Sequence, residues 1–146
     1  MADTSVQRLV ADWVNEVFLP TRMSGVFQER RVRLNTGGEH RFAAVSSCGR
    51  KVGSISTGSA QTSGGKLGVG KLTKIRADML FLLLADADDR FIAFVDRTML
   101  HKIQTEKAEG RVPHEIELIF VEGLPPDLSA RLAEAQKEAS NEVSPS

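Results

Sequence analysis

The sequence predicts an α/β fold of the α+β kind, formed as a single domain over residues 1–146. Three observations predict it. Apolar residues recur at helical spacing near both ends of the chain, and short alternating runs bounded by Gly, Asn and Pro lie between them. A length of 146 residues suffices for one core and is too short for two ordinary domains. Residues 141–146 are predicted to be a disordered tail.

The first part of the chain predicts a helix followed by a three-stranded meander. The helix is predicted over residues 4–19, where the apolar side chains share one face and Pro20 stops it. Three strands follow, in the segments RRVRL, HRFAAVSS and KVGSIST. The turn signal NTGG separates the first two. A turn at Gly49 and Arg50 is expected to make the second and third strands an antiparallel hairpin.

The second part alternates helices and strands. After a glycine-rich loop over residues 58–70, strong helix formers predict a largely buried second helix in KLTKIRADMLFLLLA. RFIAFVD predicts the fourth strand, and Thr98 is expected to cap a third helix that ends at Gly110. HEIELIFVE predicts the fifth strand, and Pro125 and Pro126 open the last helix. The predicted order is αβββαβαβα, an αβββαβ core with a C-terminal α-β-α extension.

The cysteine count and the hydropathy of the sequence predict the cellular compartment of the protein. Cys48 is the single cysteine of the sequence, so no disulfide or cysteine-based zinc site can form within it, and a reducing, cytoplasmic location is favoured. The longest apolar run, MLFLLLA, is far shorter than the roughly 20 residues of a membrane helix. The sequence therefore predicts no membrane partner, and no signal-peptide pattern indicates export.

Charged residues are strongly segregated along the chain, although the net charge is zero. Residues 21–76 contain 11 Lys or Arg against two Glu, whereas residues 77–146 contain 7 basic and 14 acidic side chains. A basic surface of this kind attracts the phosphates of DNA or RNA. The alternative is that the basic region pairs with the acidic region, either within the domain, in a partner protein or in a homo-oligomer.

The stretch GGKLGVGKLT, residues 64–73, resembles a phosphate-binding P-loop, in which Gly, Lys and a hydroxyl hold phosphate and Mg²⁺. Gly65, Gly70 and Lys71 match that pattern, but Thr73 arrives one residue late. The favoured interpretation is the basic rim of a groove, with an unliganded surface loop or a nucleotide site as alternatives. The predicted nucleic-acid contacts are Lys66, Lys71, Lys74, Arg76 and Arg41.

The element order over about residues 4–96 resembles the core of the PD-(D/E)xK nuclease superfamily, the restriction-endonuclease-like fold. The segments FAAVSS, GSIST and TSGGK resemble the superfamily's F-D-A-V-S, its E-I-K-T and its glycine-rich basic loop. The resemblance implies that the metal-binding Asp falls on Ala43, and the acid-x-Lys triplet on Ser54 and Ser56. Alanine and serine cannot replace the carboxylates that hold Mg²⁺ and polarise the attacking water.

The resemblance therefore implies a catalytically degenerate domain that binds nucleic acid or acts in a nucleic-acid-processing complex, and the absence of the Asp and acid-x-Lys residues argues against an enzyme without deciding the question. No cofactor is expected, except Mg²⁺ if carboxylates have migrated. Glu16, which matches the superfamily's helix-one Glu, and Asp78 are the candidate migrated ligands; the alternative for Asp78 is a solvated residue near its helix N-terminus.

The hairpin pattern also predicts the geometry of the degenerate site. Period-two alternation places Ser54 and Ser56 on one face, which Ala43 is expected to share. Hairpin pairing is expected to set Ala43 opposite Ser56 and Val45 opposite Ser54.

Overall fold

A five-stranded mixed sheet forms the centre of the protein, in a computed structural model that describes residues 5–60 and 68–143. The strands lie side by side in chain order: β1 (Phe27–Arg33), β2 (Glu39–Ser46), β3 (Lys51–Ser56), β4 (Asp89–Phe94) and β5 (Ile116–Phe120). The first three are antiparallel neighbours, and the last three are parallel neighbours. Parallel neighbours need a crossover connection, which explains why a helix follows β3 and another follows β4.

The helices confirm the predicted order of elements. They are α1 (Ser5–Trp13), a π-helical turn (Val14–Phe18), α2 (Leu19–Met23), α3 (Val69–Leu84), α4 (Arg97–Ala108) and α5 (Pro126–Val143). The first three follow one another without a break, so they correspond to the single first helix of the prediction. The mixed α/β class and the single domain are confirmed.

Two hydrophobic cores flank the sheet and give the domain three layers. On one face, α3 and α4 pack against Val45, Val52, Ile92 and Phe94. On the other face, α1, the π-helical turn and α5 pack against Phe27, Ala44, Phe91, Ala93 and Ile119. Ser54 and Ser56 are aligned with Ile92 and Phe94 across β3 and β4, so both serines lie on the α3 side as the alternation predicts.

The first helix does not stop at Pro20, contrary to the prediction. It widens into the π-helical turn, where the Leu19 N–H donates to the Val14 carbonyl, and then continues as α2 to Met23. Pro20 lies in the first turn of α2, a position where a missing N–H is tolerated.

The register of the β2–β3 hairpin also differs from the prediction. Ala44 lies opposite Gly53 and Val45 opposite Val52, rather than Ser54. The pairing is therefore centred one residue earlier than expected, between Cys48 and Gly49, and the Gly49 N–H donates to the Ser46 carbonyl within this turn. Gly49 has φ +77°, a left-handed conformation that glycine adopts at little cost.

The N-cap of α4 differs from the prediction, and α5 reaches into the predicted tail. Asp96, rather than Thr98, is the N-cap residue, because its carboxylate accepts from the N–H groups of Thr98 and Met99 at 2.9 and 3.1 Å. α5 extends to Val143, so the first part of the predicted tail is helical, and residues 144–146 lie outside the described residues. Among the described helices, none is both long and apolar enough to cross a membrane.

Candidate functional site

A cleft of about 380 Å³ opens where β2 and β3 separate. The two strands are paired at Ala44–Gly53 and Val45–Val52, and the cleft begins immediately beyond these pairs. Its lining comes from β1, β2, β3 and α3: Glu29, His40, Arg41, Phe42, Ala43, Ser54, Ile55, Lys74 and Asp78. The structure thus brings together Ala43, Ser54, Arg41, Lys74 and Asp78, five of the residues that the sequence singled out.

A β-bulge in β2 shapes the wall of this cleft. The pairing of β1 with β2 shifts by one residue between Gln28–Val45 and Arg30–Phe42, so that β2 carries an extra residue there. Phe42 and Val45 consequently both face the α3 side, while Ala44 faces the α1 side. The bulge interrupts the alternation from which the position of Ala43 was predicted.

Asn15 supports the bulge from the π-helical turn. Its Nδ2 donates to the Ala43 carbonyl at 3.0 Å, and the residue is only 7% exposed. Its Oδ1 is buried and accepts no hydrogen bond from the described part of the chain. Sequence reasoning selected the neighbouring Glu16, whose side chain is exposed, and missed Asn15. A polar residue inside the apolar run from Val14 to Phe18 was the available signal.

The charged side chains of the cleft form two ion pairs, in which Asp78, 22% exposed, is the one partly buried member. Arg41 contacts Glu29 at 2.8 Å, and Lys74 contacts Asp78 at 3.2 Å one helical turn away. The side chains of Arg41 and Glu29 are more than half exposed, and Lys74 is 75% exposed. Exposed pairs are worth only about 0–1 kcal/mol, so another anion can replace Glu29 at small cost, and it can also reach the exposed ammonium of Lys74.

Aromatic rings form the α3 end of the cleft. His40 stacks on Phe81 with ring centroids 4.0 Å apart and planes 3° apart, and it meets Phe42 edge-on at 4.8 Å. These contacts fix the His40 ring between β2 and α3 and give the cleft one flat, partly apolar wall.

Two other residues selected from the sequence, Arg76 and Ser56, lie away from the cleft lining. Arg76 on α3 donates to the buried carboxylate of Glu106 on α4 at 3.0 Å. Ser56 lies two residues beyond Ser54 on β3 and does not line the cleft. Lys66 lies outside the described residues.

The described ends of the glycine-rich loop are held together at its base. The Gly68 N–H donates to the Ala60 carbonyl at 2.8 Å, and the Ala60 N–H donates to Thr98 Oγ1 at 3.2 Å. The aliphatic stem of Lys71 packs against Gly58 and Gly68, where an added Cβ would lie 3.1 and 3.4 Å from Lys71 Cδ. The Thr73 hydroxyl donates to the Val69 carbonyl within α3.

The basic and acidic regions of the sequence pair with each other inside the domain. Four of the cations in residues 21–76 contact carboxylates of residues 77–146, in the pairs Arg22–Glu117, Arg50–Asp86 and Asp88, Lys74–Asp78 and Arg76–Glu106. Arg50 joins the hairpin turn to the α3–β4 connection, and its guanidinium holds the pKa of the Asp88 carboxyl below the usual value. Part of the positive charge of residues 21–76 is therefore neutralised by carboxylates of residues 77–146 within the same domain.

No group of three His, Cys, Asp or Glu side chains suitable for a metal ion occurs within residues 5–60 and 68–143. Glu16 and Asp78 are accordingly not assembled into a ligand set in that part of the chain. In comparisons with known proteins, no family model, no curated protein and no solved structure matches the chain.

The exposed thiol of Cys48 lies in the hairpin turn, 3.3 Å from the Ser46 hydroxyl. The hydrogen bond with Ser46, followed by the Arg50 backbone and the charge of Lys51, lowers the pKa of the Cys48 thiol. We expect iodoacetamide to alkylate Cys48 with a pH midpoint below that of a cysteine in an unfolded peptide, since the thiolate is the reacting form.

Ser46→Ala should move that midpoint upward, because the largest stabilising contact of the thiolate is removed. Cys48→Ser provides the blank for the alkylation assay. Equal midpoints in the wild type and Ser46→Ala would contradict the assigned cause.

Proposed function

We propose that this chain is a catalytically silent, nuclease-like domain that holds a nucleic-acid backbone in the cleft between β2 and β3. The observation that carries the proposal is the convergence of Ala43 and Ser54 in one cleft, with Arg41 and Lys74 at its rim. The resembled superfamily carries its metal-binding Asp and its acid-x-Lys triplet on the corresponding strands. In this chain, Ala43 and Ser54 stand at two of those positions, and the cations at the rim, Arg41 and Lys74, are paired with Glu29 and Asp78.

The availability of the cations supports binding at this cleft. Both cations are accessible to a ligand, because the side chains of Arg41 and Lys74 are 61% and 75% exposed. Phosphate groups offer the same charge-assisted hydrogen bonds, and an Arg fork can bind one bidentately. Ser54 adds a hydroxyl and His40 a flat ring within the same cleft. These groups recognise a phosphodiester backbone without reading its sequence.

The proposal predicts salt-dependent binding of a fluorescent DNA duplex, measured by anisotropy at several salt concentrations. Replacing Arg41 and Lys74 by Gln should reduce the slope of log affinity against log salt by about 1.8, because each lost phosphate contact removes about 0.9. Arg131→Gln with Lys137→Gln removes the same charge from exposed positions on α5 and should leave most of the slope.

Two outcomes of that experiment bear on different parts of the proposal. Absence of duplex and single-strand binding by the wild type at low salt would overturn nucleic-acid binding. Mg²⁺-dependent cleavage of the bound strand would instead overturn the catalytically silent part.

A second candidate function is an assembly module, favoured by the pairing of basic and acidic regions. The Arg22–Glu117 contact joins residues 95 positions apart, so the pairing already occurs within one copy of the domain. In an oligomer, exposed pairs of the same kind would join two copies. A molecular mass that rises with protein concentration and falls in salt, with no nucleic-acid affinity, would favour this function over the first.

A further inference from the structure

The exposed face of β1 and β2 next to the cleft carries arginines that the sequence analysis did not select. Alternation and register place five side chains on this face, all of them exposed: Glu29, Arg31 and Arg33 of β1, and Glu39 and Arg41 of β2. Val32 and Phe42 lie on the opposite side and are buried against the α3 core. We call this surface the arginine face.

The charges of the arginine face are incompletely matched. Arg31 lies directly opposite Arg41, an unfavourable arrangement for like charges in a ladder. Within the described residues, Arg41 is drawn to Glu29, whereas Arg31 and Arg33 contact no carboxylate within 4.0 Å. Arg33 lies opposite Glu39 without forming such a contact. Arg31 and Arg33 are therefore available to an external anion without the loss of an ion pair in the described part of the chain.

Two of the cations along α3, unlike Arg31 and Arg33, are paired with carboxylates. Lys74 is paired with Asp78, and Arg76 is paired with Glu106, whose side chain is only 5% exposed. Releasing Arg76 to a phosphate would leave that buried carboxylate with Lys102 at 3.8 Å as its nearest cation, which is costly. Lys71 is the remaining α3 cation without a carboxylate partner in the described part of the chain, and its stem is packed at the base of the glycine-rich loop.

The arginine face is continuous with the cleft, because Glu29 and Arg41 belong to both. Arg31 and Arg33 are two residues apart on one strand, which separates them by about 6.6–6.8 Å along the face. Resting on the proposed function, we infer that the nucleic-acid backbone leaves the cleft across the arginine face, where Arg31 and Arg33 bind successive phosphates. A path along α3, where the predicted contacts Lys71 and Arg76 lie, is not the principal one.

The test compares neutral variants in the duplex-binding salt series. Arg31→Gln with Arg33→Gln should lower the slope by about 1.8 and leave thermal stability nearly unchanged, since neither side chain has a carboxylate partner to lose. Lys71→Gln should lower the slope of log affinity against log salt by less than half of the change in the Arg31/Arg33 variant. The pair Arg131→Gln and Lys137→Gln again controls for the loss of two charges.

The outcomes separate this inference from the proposed function. Binding by the wild type with an unchanged slope in the Arg31/Arg33 variant would overturn the path across the arginine face and leave the cleft proposal standing. If Lys71→Gln lowers the slope more than the Arg31/Arg33 variant does, the path across the arginine face is likewise overturned, and the path along α3 is favoured. If the wild type binds poly-glutamate but no nucleic acid, both proposals fail and an acidic protein is the partner of this face.

Discussion

Gly53→Ala is expected to destabilise the fold by about 3 kcal/mol, at the upper end of the usual cost of overpacking a core. A Cβ at position 53 would lie 2.2 Å from Cε2 and 2.3 Å from Cζ of Phe91, distances that require atoms to move. The Phe91 ring is fully buried and packs edge-on against Phe27 with centroids 6.2 Å apart. The ring therefore has little room to retreat, and the free energy of unfolding in urea should fall accordingly.

Gly70→Ala provides the matched control, because it is the same substitution at a helical glycine with nothing within 4 Å of the added Cβ. It should raise stability by up to about 1 kcal/mol, through the better helix propensity of Ala. Phe91→Leu combined with Gly53→Ala should recover part of the loss, and the double-mutant cycle measures the coupling. A stability of Gly53→Ala equal to that of the wild type would refute the close contact.

Gly53 also connects the core to the candidate site. It pairs with Ala44 at the last step of the β2–β3 ladder before the strands separate. The Phe91 ring lies over β3 at this step, on the α1 side, where the space beside Gly53 admits it. Gly53, which the sequence analysis treated only as part of a strand, therefore lies at the edge of the cleft and admits the Phe91 ring there.

The order of the elements could be predicted because each depends on local chain properties. Apolar residues at helical spacing marked the helices, and short runs between turn residues marked the strands. The end of the first helix was predicted wrongly, because local rules treat Pro20 as a stop, whereas the π-helical turn places it at a tolerated position. The hairpin register was wrong because Ser46 and Gly49 close the turn, and a bulge in β2 interrupts the alternation.

The site was predicted only in part, since ion pairing depends on tertiary contacts. The sequence grouped Lys74 and Arg76 as nucleic-acid contacts, but their ion-pair partners differ. Lys74 pairs with Asp78 on the same helix, whereas Arg76 pairs with the buried Glu106, 30 residues away. Arg31 and Arg33 belong to the visible run RRVR, yet their lack of carboxylate partners appears only after folding. Asn15 was missed because its contact with Ala43 spans 28 residues.

Arg76→Met should lower the free energy of unfolding by about 2 kcal/mol, because Arg76 neutralises a buried carboxylate. Glu106 is only 4% exposed, its Oε1 accepts from Arg76 at 3.0 Å, and its Oε2 accepts no hydrogen bond from the described residues. Lys102 remains at 3.8 Å from Oε2, and Arg76 itself is half exposed, so the loss should be smaller than the roughly 3–5 kcal/mol of a fully buried pair.

Two further variants decide whether Arg76 acts in stability or in nucleic-acid binding. Arg76→Met with Glu106→Leu should recover much of the lost stability, because an apolar pair replaces the buried ion pair. Arg131→Met, at an exposed position on α5, should leave urea unfolding unchanged. If Arg76 is structural, the salt slope of duplex binding should stay the same in Arg76→Met at a temperature where the variant is folded. A slope lower by about 0.9 with unaltered stability would instead make Arg76 a phosphate contact.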